Sequence, residues 1–365
     1  MSKEAALIRL EPRRQHSQAM VYLSPVLAIL MTLFVGGIIF SFMGKNPFDA
    51  LYTFFILPIS NSYGISELFV KATPLVIIAV GLSMGFRANV WNIGAEGQLT
   101  MGAIFGGGLA LYFHDSESMF LLPAMFVFGA IGGAFWGAIP ALLRTKFNAN
   151  EILTSLMLTY VATLFLSYLV HGPWRNPEGF NFPESRPFPD AGLLPIIYDG
   201  TRVHLGTAFA VFVVIAGWIL LSKSVIGFQL RVVGKAPQAA RHVGFRQKRM
   251  VWFTLLLGGG LAGLAGLFEV AGPIGQLQSQ ISPGYGFTAI IVAFLGRLHP
   301  LGILFGGLIM ALTYLGGELA QITLGLPNAV TGLFQGILLF FLLACDVLTK
   351  YRVRFGTPVA KGEAI

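Results

Sequence analysis

Long apolar runs separated by polar connections recur along the whole chain, and each is close to the roughly 20 residues that a helix needs to cross a bilayer. This pattern predicts an all-α integral membrane protein with about ten transmembrane segments, some of them broken or short. We place the segments at residues 21–43, 67–86, 92–113, 119–143, 150–170, 204–222, 250–271, 285–296, 301–322 and 327–348.

The eighth segment, 285–296, is too short to cross a membrane. At 1.5 Å per residue, the run "GFTAIIVAFLG" reaches only about 16 Å, roughly half of the hydrocarbon core. We therefore expect a half-helix or part of a broken span. Such backbone is tolerated at membrane depth only where protein or a water-filled cavity covers it.

The basic residues predict the orientation of the chain. Of the 24 lysines and arginines, nineteen fall on the side of the two termini and five on the other side. Because cytoplasmic loops carry the excess of Lys and Arg, both termini are expected in the cytoplasm. The first apolar run is too long for a signal peptide and is interpreted as an uncleaved span. The expected organisation is a tail at 1–20, one transmembrane domain at 21–348 and a tail at 349–365.

Composition excludes several other classes of protein. The chain is 55% hydrophobic and 11% charged, whereas soluble domains carry about 25% charged residues. The net charge of +8 then reflects the loops rather than a nucleic-acid partner. The single cysteine, Cys345, excludes a disulfide framework and a cysteine metal site. No catalytic residue and no metal site is predicted.

Two connections carry their own signals. The loop 171–203 is rich in Pro, Gly and aromatic residues, and we expect it to pack on the outer face. The basic loop 223–249 contains a short helix, Pro237–Val243, because Pro suits a first helical position and Gly244 suits a left-handed stop. Two helical turns are unstable alone in water, so this helix must dock on its own bundle or on another protein. A basic loop held by anionic lipid is the alternative.

One acidic residue, Glu96, stands in an apolar, glycine-rich stretch, where a charge costs several kcal/mol. It either lies near a path for a polar solute, together with Asn92 and Gln98, or is structural. In the structural role it caps a broken helix or pairs with a basic residue such as Arg87.

Other acidic residues near the ends of segments also have either a role near the path or a structural role. Glu269 and Glu318 lie toward the outer ends of their spans, where each faces the path or contacts a protein that delivers the solute. Glu151 follows Asn150 at the start of a span and is expected to cap that helix. Most of the glycines, such as Gly259 and Gly263, are expected to serve close helix packing.

Three stretches carry a resemblance to a known family. "NVWNIGAEGQLTMGA" and "GFQLRVVGKAPQAARHVGF" resemble phrases of bacterial ABC importer permeases of the simple-sugar, branched-chain amino acid and nucleoside groups. "LVHGPWRNPEGFNFPESRPFPDAGLLP" is similar to the outer loop of the nucleoside branch, which works with basic membrane proteins. The resemblance covers residues from about 65 to 348.

The resemblance implies a permease that works by alternating access in the bacterial inner membrane. Its expected partners are a separate ATPase, a second and similar permease chain, and an extracytoplasmic binding protein. The chain lacks the phosphate-binding loop G-x-x-x-x-G-K-[ST], so it binds no cofactor, and ATP and magnesium belong to the ATPase. The implied solute is a nucleoside or a related purine or pyrimidine compound, with a simple sugar as the alternative. The loop expected to couple to the ATPase contains Gly227, Arg231, Gly234, Pro237, Ala239, Ala240, Arg241 and Gly244.

An ion-coupled secondary transporter is the alternative from another class. Broken helices and buried acids also fit that class, with Glu96, Glu269 or Glu318 as the proton or sodium site. The basic loop 223–249 discriminates between the two, because a secondary transporter needs no helix that docks on an ATPase.

Overall fold

The computed structural model describes residues 8–12 and 18–355, and within them the chain is predominantly helical. Two short strands, β1 (Ile8–Pro12) and β2 (Tyr351–Phe355), lie at the two ends of the described chain. The helices between them are α1 (Gln18–Phe42), α2 (Pro47–Phe55), α3 (Ser62–Arg87), α4 (Ala95–Tyr112), α5 (Leu121–Phe147), α6 (Glu151–His171), α7 (Leu205–Lys223), α8 (Val225–Lys235), α9 (Pro237–His242), α10 (Gln247–Glu269), α11 (Tyr285–Leu295), α12 (Pro300–Leu324) and α13 (Ala329–Lys350).

Each of the ten predicted segments contains a helix, but not all of these helices are fit to cross a membrane alone. In the described part of the chain, eight helices are long and apolar enough to span. The two exceptions are α4 and α11. The first turns of α4 carry Glu96 and Gln98, which lower its hydropathy, and α11 has only 11 residues. The structure therefore supports a multi-pass membrane protein.

The predicted break around the eighth segment is present. After α10, a single π-helical turn covers Val270–Ile274, and Gly275 ends it with φ of +79°. The chain then runs without a helix until α11 begins at Tyr285, next to Gly284 with φ of +102°. Both glycines adopt the left-handed conformation, which side chains with a Cβ disfavour.

The chain divides into two compact units, of which the larger covers Phe54–Leu319. Its core is formed by α3, which is almost wholly buried, and by α4, α5 and α10. Small residues let α5 and α10 approach closely: a Cβ on Gly133 would lie 2.7 Å from the backbone of Gly263. The expectation of glycine-mediated packing is confirmed for this contact.

The loop between α6 and α7 is packed against the chain, as expected from its composition. It pairs with the segment that follows α10: Ser185 N–H donates to the Leu277 carbonyl and Leu194 N–H to the Ala271 carbonyl, both at 2.8 Å. Phe188 in the same loop is buried. These contacts define one end of the larger unit, which we call the loop end; the end that carries α8 and α9 is the opposite end.

Among the described residues, the smaller unit contains 8–12, 18–53 and 320–355. Within it, α1 packs on α13, where the rings of Phe40 and Phe334 stack at 5.3 Å. β1 pairs antiparallel with β2, Ile8 opposite Phe355. Sequence analysis treated both strands as parts of tails, so this pairing is new; it brings the two ends of the described chain to one place.

Candidate translocation path and coupling surface

The carboxylate of Glu96 caps a helix far away in the sequence. Glu96 lies in the first turn of α4, and its Oε2 accepts a hydrogen bond from Gly286 N–H at 2.6 Å, across 190 residues of chain. The Ser282 hydroxyl adjoins this carboxylate, and its oxygen accepts from Tyr285 N–H at 2.8 Å at the same helix start. The first N–H groups of a helix have no partner within it, and a negative charge is favoured there. These contacts correspond to the capping role, on α11.

Arg87 is not the partner of Glu96, contrary to one of the structural alternatives. Its Nε and Nη2 donate to the carbonyl of Leu298, at 3.2 and 2.9 Å. Leu298 has φ of +56° in the turn between α11 and α12. Arg87, the last residue of α3, therefore ties α3 to that turn.

The expectation for Glu151 is wrong. The helix cap of α6 is Asn150, whose Oδ1 accepts from Ile152 N–H at 2.9 Å. The short amide of Asn150, just outside the helix, reaches that donor directly. Glu151 instead forms a 2.5 Å ion pair with Arg144 and accepts from Trp91 N–H at 3.3 Å.

The side-chain amides of Asn92 and Gln98 hydrogen-bond to each other. The Asn92 Nδ2 donates to Gln98 Oε1 at 2.8 Å, and Gln98 Nε2 donates back to Asn92 Oδ1 at 3.2 Å. Asn92 Oδ1 also accepts from Gly94 N–H at 3.1 Å. Both side chains are buried. In this conformation the two amides lock the chain that enters α4.

Glycines around this junction allow backbone to touch backbone. A Cβ on Gly94 would lie 2.6 Å from the carbonyl oxygen of Ser155, and one on Gly97 would lie 2.7 Å from Cα of Thr159. A Cβ on Gly286 would overlap the backbone of Glu96. We call the part formed by Asn92, Glu96, Gln98, Ser282 and Gly286 the capped junction.

Toward the loop end, five charged side chains come together in a second site. Arg202 forms a two-pronged pair with Glu67, with Nε at 2.9 Å from Oε1 and Nη2 bonded to Oε2. Lys71 pairs with Glu318 at 2.5 Å. The fifth member is Glu269, which interacts electrostatically with all four. We call this set of Glu67, Lys71, Arg202, Glu269 and Glu318 the charged cluster.

Glu269 differs from the other members of the charged cluster. Among the described residues, no donor forms a hydrogen bond or a close ion pair with its carboxyl group. Both oxygens of the carboxyl group are accessible, because neither is a fully buried polar atom without a partner. The surplus carboxyl group at the end of α10 is thus open.

Aromatic and hydroxyl groups adjoin this carboxyl group. Tyr285, the first residue of α11, lies within electrostatic range of Glu269, Glu318 and Glu96. Its ring meets the ring of Tyr314 edge-on at 5.3 Å. The Tyr314 hydroxyl is 2.7 Å from the hydroxyl of Thr288. Tyr285 therefore lies within electrostatic range of both the capped junction and the charged cluster.

His204 is a neutral group next to the cluster. It caps α7, and its Nδ1 accepts from Gly206 N–H at 3.1 Å, which requires an unprotonated nitrogen. Burial, followed by the positive charge of Arg202, lowers the pKa of His204 to about 4. The hydrogen bond with Glu67 raises the pKa of Arg202 further above its usual range.

At the opposite end, the expected short helix is present as α9. Pro237 is its first residue, and Gly244 follows it with φ of +83°. The helix ends at His242, one residue earlier than predicted. Phe245 N–H donates to the Ala240 carbonyl at 2.9 Å and closes the turn.

The stretch before α9 is also helical, which the sequence analysis missed. Ser224 caps α8 by accepting from Gly227 N–H at 3.1 Å. Gly227 and Gly234 lie within α8, at positions that have no room for a Cβ. A Cβ on Gly227 would lie 2.5 Å from the Leu221 carbonyl oxygen, and one on Gly234 would overlap the Arg87 carbonyl. Gly234 therefore seats α8 on the last residue of α3.

α9 presents most of its surface outward. Ala240 is buried, whereas Pro237, Ala239 and Arg241 are exposed. Arg231 on α8 is exposed as well. Beside α9 lies a groove of about 740 Å³ whose lining includes the basic residues Arg144, Arg241, Arg246, Lys248 and Arg249.

The sequence of this chain is similar to those of known permeases along most of its length. The family described as the permease component of branched-chain amino acid transport systems matches residues 64–343. The chain belongs to this permease family. It is a multi-pass ABC transporter permease, and its relatives are transport subunits rather than enzymes.

Three relatives match almost the whole chain. The glucose ABC transporter permease protein TsgB13 of Haloferax volcanii is 37% identical over 95% of this chain and 93% of its own length. The nucleoside ABC transporter permease protein NupB of Lactococcus lactis is 27% identical, over 93% and 94%. The guanosine ABC transporter permease protein NupP of Bacillus subtilis is 26% identical, over 91% and 94%. No solved structure matches the chain.

The sequence analysis overlooked three members of the charged cluster. Glu67 and Lys71 stand four residues apart on one helix face, a charged pair at the start of a long apolar helix. That spacing was a usable signal. Arg202 had none, because its place in an irregular loop gave no indication that it would reach α3.

Proposed function

We propose that the chain is the transmembrane subunit of an ATP-driven importer and moves a small neutral solute by alternating access. The observation that carries this proposal is α9, an exposed helix of six residues on a permease of the ABC family. A helix of this length needs a partner surface. We infer that a separate ATPase supplies it and binds the ATP and magnesium.

The contact at Gly234 suggests how movement would pass through the protein. α8 continues into α9 and rests on Arg87, the last residue of α3. The other half of α3 carries Glu67 and Lys71 of the charged cluster. One continuous helix, α3, therefore connects the coupling surface with the loop end, and a push on α9 would shift the cluster.

The basic groove beside α9 supports an orientation with this end in the cytoplasm. In that orientation the packed loop between α6 and α7 faces the outside, where a binding protein would deliver the solute. We propose that a second, similar permease chain completes the path. The membrane would be the cytoplasmic membrane, the inner membrane in a bacterium.

The solute is proposed to be a nucleoside or a simple sugar. A nucleoside follows from the outer-loop resemblance and from the names of two relatives. A sugar is favoured by the relative of higher identity, which is named for glucose. Both solutes carry a ring with several hydroxyl groups and no charge, so one path could accept either chemistry.

The coupling role is tested with Ala239→Trp in the native cells, with Ala239→Ser as the matched control. Ala239 is exposed, so the large side chain leaves the bundle intact but obstructs docking. Gly234 is a poor choice, because any Cβ there meets the Arg87 carbonyl and displaces α8. The readouts are uptake of radiolabelled glucose and guanosine, and co-purification of an ATPase.

We expect Ala239→Trp to abolish uptake and to lose the ATPase, while Ala239→Ser behaves like the wild type. Full uptake by Ala239→Trp, sustained by an ion gradient after ATP depletion, would contradict the proposal. That result would favour the ion-coupled transporter considered above.

A further inference from the structure

The open carboxyl group of Glu269 calls for a partner that the chain does not provide. Within the described residues, every other carboxylate of the charged cluster has a cation: Glu67 has Arg202 and Glu318 has Lys71. A polar group near the membrane interior is costly when it is unpaired. A carboxyl group kept open in such a position is expected to receive its hydrogen bonds from something that comes and goes.

The hydroxyl group of Tyr285 is in the same condition. Its side chain is buried, but its hydroxyl oxygen remains accessible and forms no hydrogen bond with any described residue. Glu269 and Tyr285 interact electrostatically, and the oxygens of both side chains are accessible. A solute that reached both groups would meet a carboxyl group, a phenol and an aromatic ring.

The charges of the cluster select the kind of solute. Three carboxylates face two cations, and both cations are engaged in ion pairs. An anionic solute, such as a phosphorylated sugar, would find no unpaired cation in the cluster. A neutral solute rich in hydroxyl donors would instead satisfy the open carboxyl group.

We propose that Glu269 is a solute-binding residue that accepts a hydrogen bond from a ring hydroxyl of the passing sugar or ribose, with Tyr285 beside it. This inference rests on the proposed function and makes it more specific. It assigns part of the solute discrimination to the permease itself. Because binding must be reversible, one such bond in an otherwise weak site suits a path that releases its cargo.

The test compares solutes that differ by one hydroxyl group. Native cells carry the complete importer with wild-type chain, Glu269→Ala, Glu269→Gln or the control Glu117→Gln, which changes an exposed acid outside the charged cluster. Uptake of radiolabelled glucose, guanosine and their singly deoxygenated analogues is measured at saturating solute, so that affinity for the binding protein does not limit the rate. Co-purification of the other subunits shows that each variant assembles.

In the wild type, removal of the hydroxyl that bonds Glu269 should lower uptake by about tenfold to a hundredfold, the usual effect of losing a hydrogen bond to a charged group. In Glu269→Ala, uptake of the parent solute should fall by a similar factor and the analogue should be carried equally well. Glu269→Gln, which keeps one acceptor oxygen, should lie between them, and Glu117→Gln should keep the wild-type ratio.

Two outcomes would overturn the inference. If an assembled Glu269→Ala importer keeps the wild-type ratios for every analogue, Glu269 does not contact the solute, although the proposed function stands. If wild-type cells import neither glucose nor guanosine, the solute class fails together with this assignment.

Discussion

Two polar sites of this permease contain glutamates in apolar surroundings, and they differ in one respect. At the capped junction, Glu96 accepts a hydrogen bond from Gly286 N–H, and the nearby amides bond to each other. In the charged cluster, Glu269 bonds to no described residue. The comparison teaches that the presence of a buried acid does not identify a path. The acid whose bonds are complete holds the architecture, and the acid left open is available to a solute.

The difference has a physical origin in what each acid faces. Glu96 meets the first turn of a helix, which supplies N–H donors at fixed positions. Glu269 meets two cations that already have carboxylate partners. Each prediction below tests one consequence of this contrast, in order of decreasing effect.

The largest effect on stability is expected from Glu96→Ala. It removes the acceptor from the buried Gly286 N–H at the start of α11 and leaves a cavity in the core. We expect the free energy of unfolding to fall by about 3 kcal/mol, measured as thermal unfolding of the purified complex in detergent. Glu269→Ala should melt like the wild type. Equal melting temperatures for the two variants would remove the basis of the comparison.

Within the charged cluster, Arg202→Ala should destabilise the protein more than Lys71→Ala. Without Arg202, the side chain of Glu67, only 7% exposed, is left as an unpaired buried charge, at a cost of about 3 kcal/mol. Glu318 is half exposed, so loss of Lys71 should cost less than about 1 kcal/mol. The same unfolding measurement checks both, and the reverse order would contradict the assigned burial.

The capped junction should also be sensitive to added volume. In Gly286→Ala the new Cβ overlaps the backbone of Glu96, and overpacking of this kind costs about 1–3 kcal/mol. Gly336→Ala is the matched control in another helix, since nothing lies within 4 Å of a Cβ there. It should be neutral or slightly stabilising, because Ala favours a helix over Gly. Similar losses for both variants would show that the junction is loosely packed.

The smallest effect concerns His204, a satisfied group beside the cluster. The unfolded chain takes up a proton as the pH falls through 6.5, whereas the folded chain holds His204 neutral down to about 4. Stability should therefore decrease on acidification, by up to about 2 kcal/mol at pH 5. His204→Asn keeps a capping side chain and should lose this part of the dependence. Melting curves at pH 7 and pH 5 decide, and identical pH responses of the two proteins would refute the assignment.

The sequence located the helices well because their apolar runs are long. It missed α2 and α8, which are too short for a spanning run. Gly227 and Gly234 lie inside α8, where neighbouring carbonyl groups leave no space for a Cβ. Tertiary packing therefore overrode the local preference.

The candidate site was only partly accessible from sequence. Glu96, Asn92 and Gln98 stood out as polar residues in an apolar run. Their partners could not be predicted, because Gly286 lies 190 residues away from Glu96 and only the fold brings them together. Glu269 has no cation partner because Glu67 pairs with Arg202 and Glu318 pairs with Lys71. No sequence pattern predicts this pairing.

Accessibility to a water-soluble thiol reagent tests the central contrast most directly. In a Cys345→Ser background, a single cysteine replaces either Glu269 or Gln98, a buried member of the capped junction. A small cationic methanethiosulfonate is applied to native membranes. We predict rapid modification of Glu269→Cys, slowed by the transported solute, and no modification of Gln98→Cys. Rapid labelling of Gln98→Cys, together with no labelling of Glu269→Cys in the absence of solute, would reverse the roles assigned to the two sites.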